Sequence, residues 1–286
     1  MVRNATAIST ENRSNNQKSS EIHKKVLYKK VRYLYSHLLP TQAACLYLFT
    51  IGLLRKKYRG LIYDIWMMVC PRIFTKKYIP PVAITSLVSN EVTLHLYEQE
   101  YDTVGNISLE ELLILVELVQ TRQPATCFEI GTYDGRTALN MAANTPEDAV
   151  IYTLDLPREE IASTLFPLDP FDLKVVKKET SGTRYRGTEW EHKIQQLFGD
   201  SAAFDYTPYQ GKMDFVFVDG SHTYDYVLSD SRNAITLLRD GKGTIIWHDY
   251  PNIYTVLKAI NYLQATDPRF AGIRHIEGTR FAVLDL

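Results

Sequence analysis

The chain has 286 residues, 45% hydrophobic and 23% charged, a globular mix that excludes a wholly disordered protein. Its 14 Gly and 12 Pro follow no period, which excludes a collagen-like repeat. Its three cysteines, Cys45, Cys70 and Cys127, are too few for a disulfide framework and form no CxxC pair, which points to a reducing, cytoplasmic setting. The net charge of −1 conceals two parts of opposite sign: residues 1–80 carry 15 Lys and Arg against 3 Asp and Glu, and residues 81–286 carry 17 against 30. The acidic part argues against a nucleic-acid partner.

Residues 1–20 hold few large apolar side chains and are expected to form a disordered tail. Residues 21–80 read as a basic helical extension. Within it, residues 33–54 run 22 positions without a charged side chain, residues 60–70 form a second apolar stretch, and Lys and Arg flank both. Pro40 is expected to break the helical pattern, and cations on both sides give a membrane span no orientation. The apolar stretch starts too late for a signal peptide. Three readings remain open: helices that pack on the main domain or on a second copy of the chain, peripheral contact with a membrane, and a true span.

From residue 107 helix and strand signals alternate. SLEELLILVELVQ (108–120) is an amphipathic helix with Ser108 as N-cap and Glu111 completing a capping box. Strands are expected at 126–131, 150–156, 193–200, 213–220 and 243–249, and helices after the first strand through 144, over 224–239 and over 253–264. A terminal hairpin joins 273–276 to 280–286. The expected fold is α/β: a doubly wound, Rossmann-like sheet of five parallel strands with a C-terminal antiparallel hairpin, occupying 81–286.

Ligands of such sheets sit at the carboxyl ends of the strands. Every expected strand ends in or near a carboxylate: Glu129, Asp155, Asp200, Asp219 and Asp249. The first turn, EIGTYDG, has glycines spaced GxxxG at Gly131 and Gly135 with Thr132 between them, which is not the GxGxxG of dinucleotide folds. Glu129 beside that turn repels a pyrophosphate and suits a cationic ligand. Asp155 is placed to accept from ribose hydroxyls, and Asp200 and Ser201 to reach an adenine edge. Together these describe S-adenosylmethionine.

FEIGTYDGRTALNMA (128–142), YTLDLP (152–157), QQLFGDS (195–201), DFVFVDGSHTYDYVLSD (214–230) and GTIIWHDY (243–250) resemble the class I S-adenosylmethionine-dependent methyltransferases. The similarity is to the VDGSH-motif branch, alongside macrolide sugar O-methyltransferases and cephalosporin-hydroxylase-like proteins, and it covers about 107–286. It implies cofactor binding by Glu129, Gly131, Thr132, Gly135, Asp155, Asp200, Ser201 and Asp219, and methyl transfer to a small-molecule or glycan hydroxyl. Some relatives hold Mg²⁺ between the carboxylates that match Asp219 and Asp249. His248 stands where some of them have a further acid, a departure that disfavours Mg²⁺.

Methyl transfer to a hydroxyl requires removal of a proton, by a base or with help from a cation. Asp219, His222, His248 and Asp249 are the candidates. Tyr224 and Tyr250 are expected to line the pocket, Cys127 to be a buried small hydrophobe, and the long connection 157–192, with Arg184, Tyr185, Arg186 and Trp190, to be either a lid or a covering loop. Two other functions fit the scaffold less well: a hydroxylase or oxidoreductase using His222, His248 and Asp219, and a non-catalytic membrane-associated module.

Overall fold

The computed structural model describes residues 36, 39–55, 58, 61, 62, 65, 79–88, 91–97 and 105–286. The tail expected at 1–20 and much of the expected helical extension lie outside these. The chain divides into two compact units, Met1–Trp66 and Met67–Leu286.

In the first unit, helix α1 spans Leu39–Leu48. Pro40 is the second described residue of this helix, and the two residues before Leu39 lie outside the described residues. No residue of α1 is buried, and Leu46 and Leu54 are 69% and 80% exposed. Among the described residues, no helix is long and apolar enough to cross a membrane.

The second unit is built on one eight-stranded sheet. The strands are β1 (Pro81–Val82), β2 (Thr126–Ile130), β3 (Val150–Asp155), β4 (Ile194–Phe198), β5 (Phe215–Val218), β6 (Thr244–Trp247), β7 (Arg274–Ile276) and β8 (Ala282–Asp285). Their order is β1-β7-β8-β6-β5-β2-β3-β4. Strands β2 to β6 are mutually parallel, as expected. β8 runs antiparallel between β6 and β7, and the hairpin lies where the sequence places it. The two-residue β1 pairs parallel with β7 at the edge and is too short for any periodicity to reveal.

Chain order runs outward from β2 through β3 to β4, then returns to β5 and β6 on the other side of β2. The switch point therefore falls between β2 and β5. The alternation of side chains sorts the core into two layers. Phe128, Val216, Val218, Ile245, Trp247 and Leu284 face one side with α5 (Tyr224–Leu237) and α6 (Tyr254–Thr266). Cys127, Phe215, Phe217, Ile246, Phe281 and Val283 face the other with α2 (Leu109–Arg122) and α3 (Arg136–Ala143). Apolar side chains on both faces explain why the strands read as continuous hydrophobic runs. Cys127 is fully buried with its thiol pKa pushed up by burial, in line with a small hydrophobe.

Helix α2 begins at the expected capping box: the Ser108 side chain accepts from the Glu111 N–H, and the Glu111 carboxylate accepts from the Ser108 N–H. All of α3 is buried. Asn140 and Asn144 each pair in both directions with backbone, at Tyr97 and His95, and so dock residues 91–97 against this helix. The short helix α4 (Asp172–Val176) lies in the 157–192 connection.

Candidate active site

A cavity of about 380 Å³ opens at the carboxyl ends of the strands, around the switch point. Gly131, Thr132, Asp155, Asp200, Ser201, Asp219, His222, His248 and Asp249 all line it. Of the residues expected to bind the cofactor or act in catalysis, Glu129 and Gly135 do not.

At one end of the cavity Asp155 closes β3. Its Oδ2 pairs with Lys178 Nζ at 2.8 Å and accepts from the Ser181 hydroxyl. Burial raises its pKa against the pull of Lys178. Asp200 accepts from the backbone of Leu165 (2.6 Å) and Ala202 (3.1 Å) and from the Tyr226 hydroxyl (2.8 Å), so its carboxylate holds the surrounding loops. The Thr132 hydroxyl lies 2.6 Å from that of Thr153 and accepts from Gln196 Nε2 at 3.0 Å.

Three first-turn expectations change in physical content. Glu129 is wholly buried beneath the turn, accepting from Thr153 Oγ1 at 2.5 Å, while its Oε1 has no hydrogen-bond partner. Burial pushes its pKa well up, and the side chain lies beneath the cavity lining instead of at the cavity as expected. Gly131 has φ +104°, and a Cβ there would lie 2.0 Å from the Asp219 carbonyl oxygen. The glycine is thus required by the close approach of the two switch-point turns, before any ligand enters. Gly135, at φ +87°, faces Gly182 and the Tyr185 ring, where a Cβ would lie 2.8 and 2.6 Å from them.

At the other end of the cavity the expected acceptor-side residues converge. Asp219 Oδ1 lies 3.0 Å from His248 Nδ1, and Asp249 Oδ2 lies 3.4 Å from the same nitrogen. Asp249 Oδ2 is also 2.7 Å from His222 Nε2. The two carboxylates are therefore bridged by imidazole nitrogens, as expected for acids held at one small site. Asp249 has φ +62° at the end of β6, a left-handed conformation that Asp tolerates better than most residues.

Burial alone would depress both histidine pKa values. The surrounding carboxylates outweigh it, Asp172 and Asp249 at His222 and Asp219 and Asp249 at His248, so both are raised well above 6.5. Burial likewise opposes ionisation of Asp249, and the two histidines overcome it to hold its pKa well below the usual carboxylate range.

Three members of this cluster escape sequence reading. Asp172, on α4, places Oδ1 2.5 Å from His222 Nδ1 and accepts from the Ser221 hydroxyl at 2.6 Å and the His222 N–H at 3.1 Å. Arg280, from the hairpin turn, donates Nη1 to Asp249 Oδ1 at 3.2 Å. Glu111 receives Arg280 Nε at 2.9 Å and Nη2 at 2.5 Å, and its Oε2 lies 3.4 Å from His248 Nε2. Glu111 was visible only as a capping residue. Asp172 lay in an aperiodic stretch, and Arg280 was read only as the start of the second strand of the terminal hairpin.

Tyr224 and Tyr250 do not line the cavity. Tyr250 is buried with its hydroxyl donating to Asn261 Oδ1 at 3.1 Å, and Tyr224 lies beneath Lys258 Nζ at 5.0 Å from its ring centroid. Tyr133 and Tyr226 line the cavity instead. The 157–192 connection divides: Leu168, Phe171, Asp172, Val176 and Lys178 cover the cavity. Arg184 instead pairs with Asp134 at 2.6 Å, and Tyr185 is buried with its hydroxyl donating to Gln196 Oε1 at 2.8 Å.

Among the described residues, the groups with metal-compatible spacing are Asp219–His222–Asp249 and Asp169–Asp172–His222. Each joins one imidazole to two carboxylates, so the pair of histidines with one carboxylate needed for a non-haem iron oxygenase is not among them.

Residues 128–250 match the family model described as a methyltransferase domain. The matched segment carries the five parallel strands and the switch point of the Rossmann-like sheet. The match accords with the resemblance of the sequence to the class I S-adenosylmethionine-dependent methyltransferases over the same motifs. No curated protein matches it. Among solved structures it is similar to the O-methyltransferase TomG from Streptomyces achromogenes, involved in tomaymycin synthesis and bound to S-adenosylmethionine. That similarity has 16% identity and a TM-score of 0.44 over 63% of this chain and 80% of that one. An O-methyltransferase from Bacillus cereus in complex with S-adenosylhomocysteine is 15% identical, with a TM-score of 0.44 over 63% and 81%. A methyltransferase from Podospora anserina bound to S-adenosylhomocysteine is 18% identical, with a TM-score of 0.39 over 63% and 78%.

Proposed function

We propose that this enzyme methylates a hydroxyl group of a small-molecule or glycan acceptor, and that the Asp172–His222–Asp249 chain with His248 and Asp219 manages the acceptor proton. The observation that carries this reading is one cavity with two chemically distinct ends: Asp155 with Asp200 and Ser201 at one, and the carboxylate–imidazole cluster at the other. The cavity suits S-adenosylmethionine in charge and shape. It offers a diol acceptor in Asp155, an apolar wall in Leu156, Leu168 and Val176, and carboxylates facing a cationic centre. That donor supplies an electrophilic methyl group, and the protein supplies position and a place for the proton. Asp172 holds His222 through Nδ1, which leaves Nε2 directed at Asp249 beside the cavity. A histidine so held accepts a proton only when neutral.

Because the carboxylates raise the pKa of His222 and His248, methyl transfer is expected to rise with pH through an apparent midpoint above 6.5 and to be indifferent to chelator. The test uses labelled S-adenosylmethionine with catechol, p-nitrophenol and methyl glycosides as acceptors, and calorimetry with S-adenosylhomocysteine and NAD. Binding of NAD in place of S-adenosylhomocysteine would sink the donor assignment.

A second reading has its own observation. The ligand atoms of Asp219, His222 and Asp249 lie within 4.8 Å of one another. Their mixed nitrogen and oxygen donors fit Mn²⁺ or Zn²⁺ better than the Mg²⁺ of the family resemblance. In that case chelator abolishes transfer and Mn²⁺ restores it.

A further inference from the structure

The acceptor-side cluster does not stand on the matched segment alone. Resting on the proposed role of that cluster, we infer that Glu111 and Arg280 are its positioning residues: they fix His248 and Asp249 in the arrangement that handles the acceptor proton. Neither lies within 128–250, the stretch that matches the methyltransferase model.

Glu111 is 5% exposed, and its two oxygens serve three parts of the fold. Oε1 accepts from the Arg280 backbone N–H at 3.0 Å and from its Nε at 2.9 Å. Oε2 accepts from Arg280 Nη2 at 2.5 Å, from the Ser108 N–H at 3.1 Å, and faces His248 Nε2 at 3.4 Å. One carboxylate thereby ties the first turn of α2, the β7–β8 hairpin and the end of β6. Arg280 uses its remaining Nη1 to reach Asp249 Oδ1.

The consequence at the site is geometric. His248 is gripped on both ring nitrogens, by Asp219 at Nδ1 and Glu111 at Nε2, which sets the ring plane. Asp249 is gripped on both oxygens, by Arg280 at Oδ1 and His222 at Oδ2, which sets its rotamer. Side chains held in this way by a supporting layer keep a catalytic arrangement within the narrow tolerance that chemistry needs. A pair serving only to fasten α2 to the hairpin would need the two hydrogen bonds between Glu111 and the Arg280 side chain. It would not need Nη1 on Asp249 or Oε2 on His248.

The experiment compares full-length wild type with Glu111→Gln, Arg280→Gln and the milder Arg280→Lys. Each is measured for S-adenosylhomocysteine affinity, for thermal unfolding, and for methyl transfer to the panel acceptor that wild type uses. A displacement of about 1 Å at reacting groups costs about 100-fold, so kcat is expected to fall by about that factor in the two Gln variants. Donor affinity should stay unchanged, and Arg280→Lys should recover part of the loss. Unchanged kcat in folded variants overturns the inference, and so does a parallel loss of donor affinity. If wild type methylates no acceptor, the functional reading has failed by itself. Positioning is then read from ¹⁵N imidazole signals at one fixed pH: those of His248 are expected to change in Glu111→Gln, and unchanged signals overturn the inference. If the Gln variants do not fold, Arg280→Lys carries the same comparison.

Discussion

Asp230 sits on α5 near the donor end of the cavity, 1% exposed, with no hydrogen bond of ordinary geometry to either oxygen. Burial, with Asp200 nearby, raises its pKa from 3.8 to about 7. Above pH 7 the folded protein must hold a buried anion that the unfolded chain exposes to water. That shift corresponds to a penalty on the order of 4 kcal/mol. Between the two pKa values the folded state binds a proton that the unfolded state releases, so the penalty fades as pH falls toward 4. Asp230→Asn is therefore expected to raise the thermal midpoint most at pH 8.5, with the gain shrinking toward pH 5. A gain that is the same at both pH values would mean that packing, and not ionisation, is at work.

The same scale shows what sequence can and cannot reveal. The residue types at strand ends were legible because topology alone brings those ends together, and seven of the eight residues from Asp155, Asp200 and Ser201 to Asp219, His222, His248, Asp249 and Glu129 line the cavity. Glu129 was misplaced because alternation along a strand puts a side chain on a face but does not say whether its last turn buries it. Tyr224, Tyr226 and Tyr250 could not be told apart, since which of them faces the cavity depends on helix rotation within α5 and on the turn after β6. Glu111 was read correctly as a cap, and its second set of partners comes from residues 137 and 169 positions away.

Among the elements, α4 joins the two ends of the cavity. Its first residue, Asp172, holds His222, and Lys178, two residues past its end, occupies Asp155. Asp155 Oδ2 already has two partners, Lys178 and Ser181, so a ribose diol must compete with them. Lys178→Met is expected to tighten S-adenosylhomocysteine binding in calorimetry. Weaker binding would show that the ammonium assists the donor. The element pattern itself was largely legible: five parallel strands, four of the longer helices and the hairpin all follow from periodicity and turn residues. The 157–192 connection was not, because α4 is only five residues long and its placement comes from contacts with the cavity wall.

For the whole molecule, the asymmetry of charge coincides with a difference in burial. The second unit holds two packed layers, whereas α1 in the first unit has no buried residue although most of its side chains are apolar. We propose that the basic region 21–80 attaches the enzyme to an anionic membrane surface, since apolar side chains and Lys/Arg together suit such a boundary. Full-length protein is expected to float with phosphatidylserine vesicles and much less with phosphatidylcholine vesicles, and Leu46→Glu with Leu54→Glu should abolish flotation. Equal recovery on both vesicle types, or a concentration-dependent dimer lost in the same variant, would assign this region to another contact.

The position of β8 between β6 and β7 makes the hairpin a structural condition of the site. Without it β6 would be an open edge of the sheet. Arg280 reaches Asp249 only with the hairpin docked, where Ala282 pairs with Trp247. The matched segment 128–250 carries the donor turn but not this guanidinium. The groups proposed to manage the acceptor proton are therefore complete only when the sheet extends past β6, so the capacity to use a bound donor is tied to the strands that the segment itself lacks.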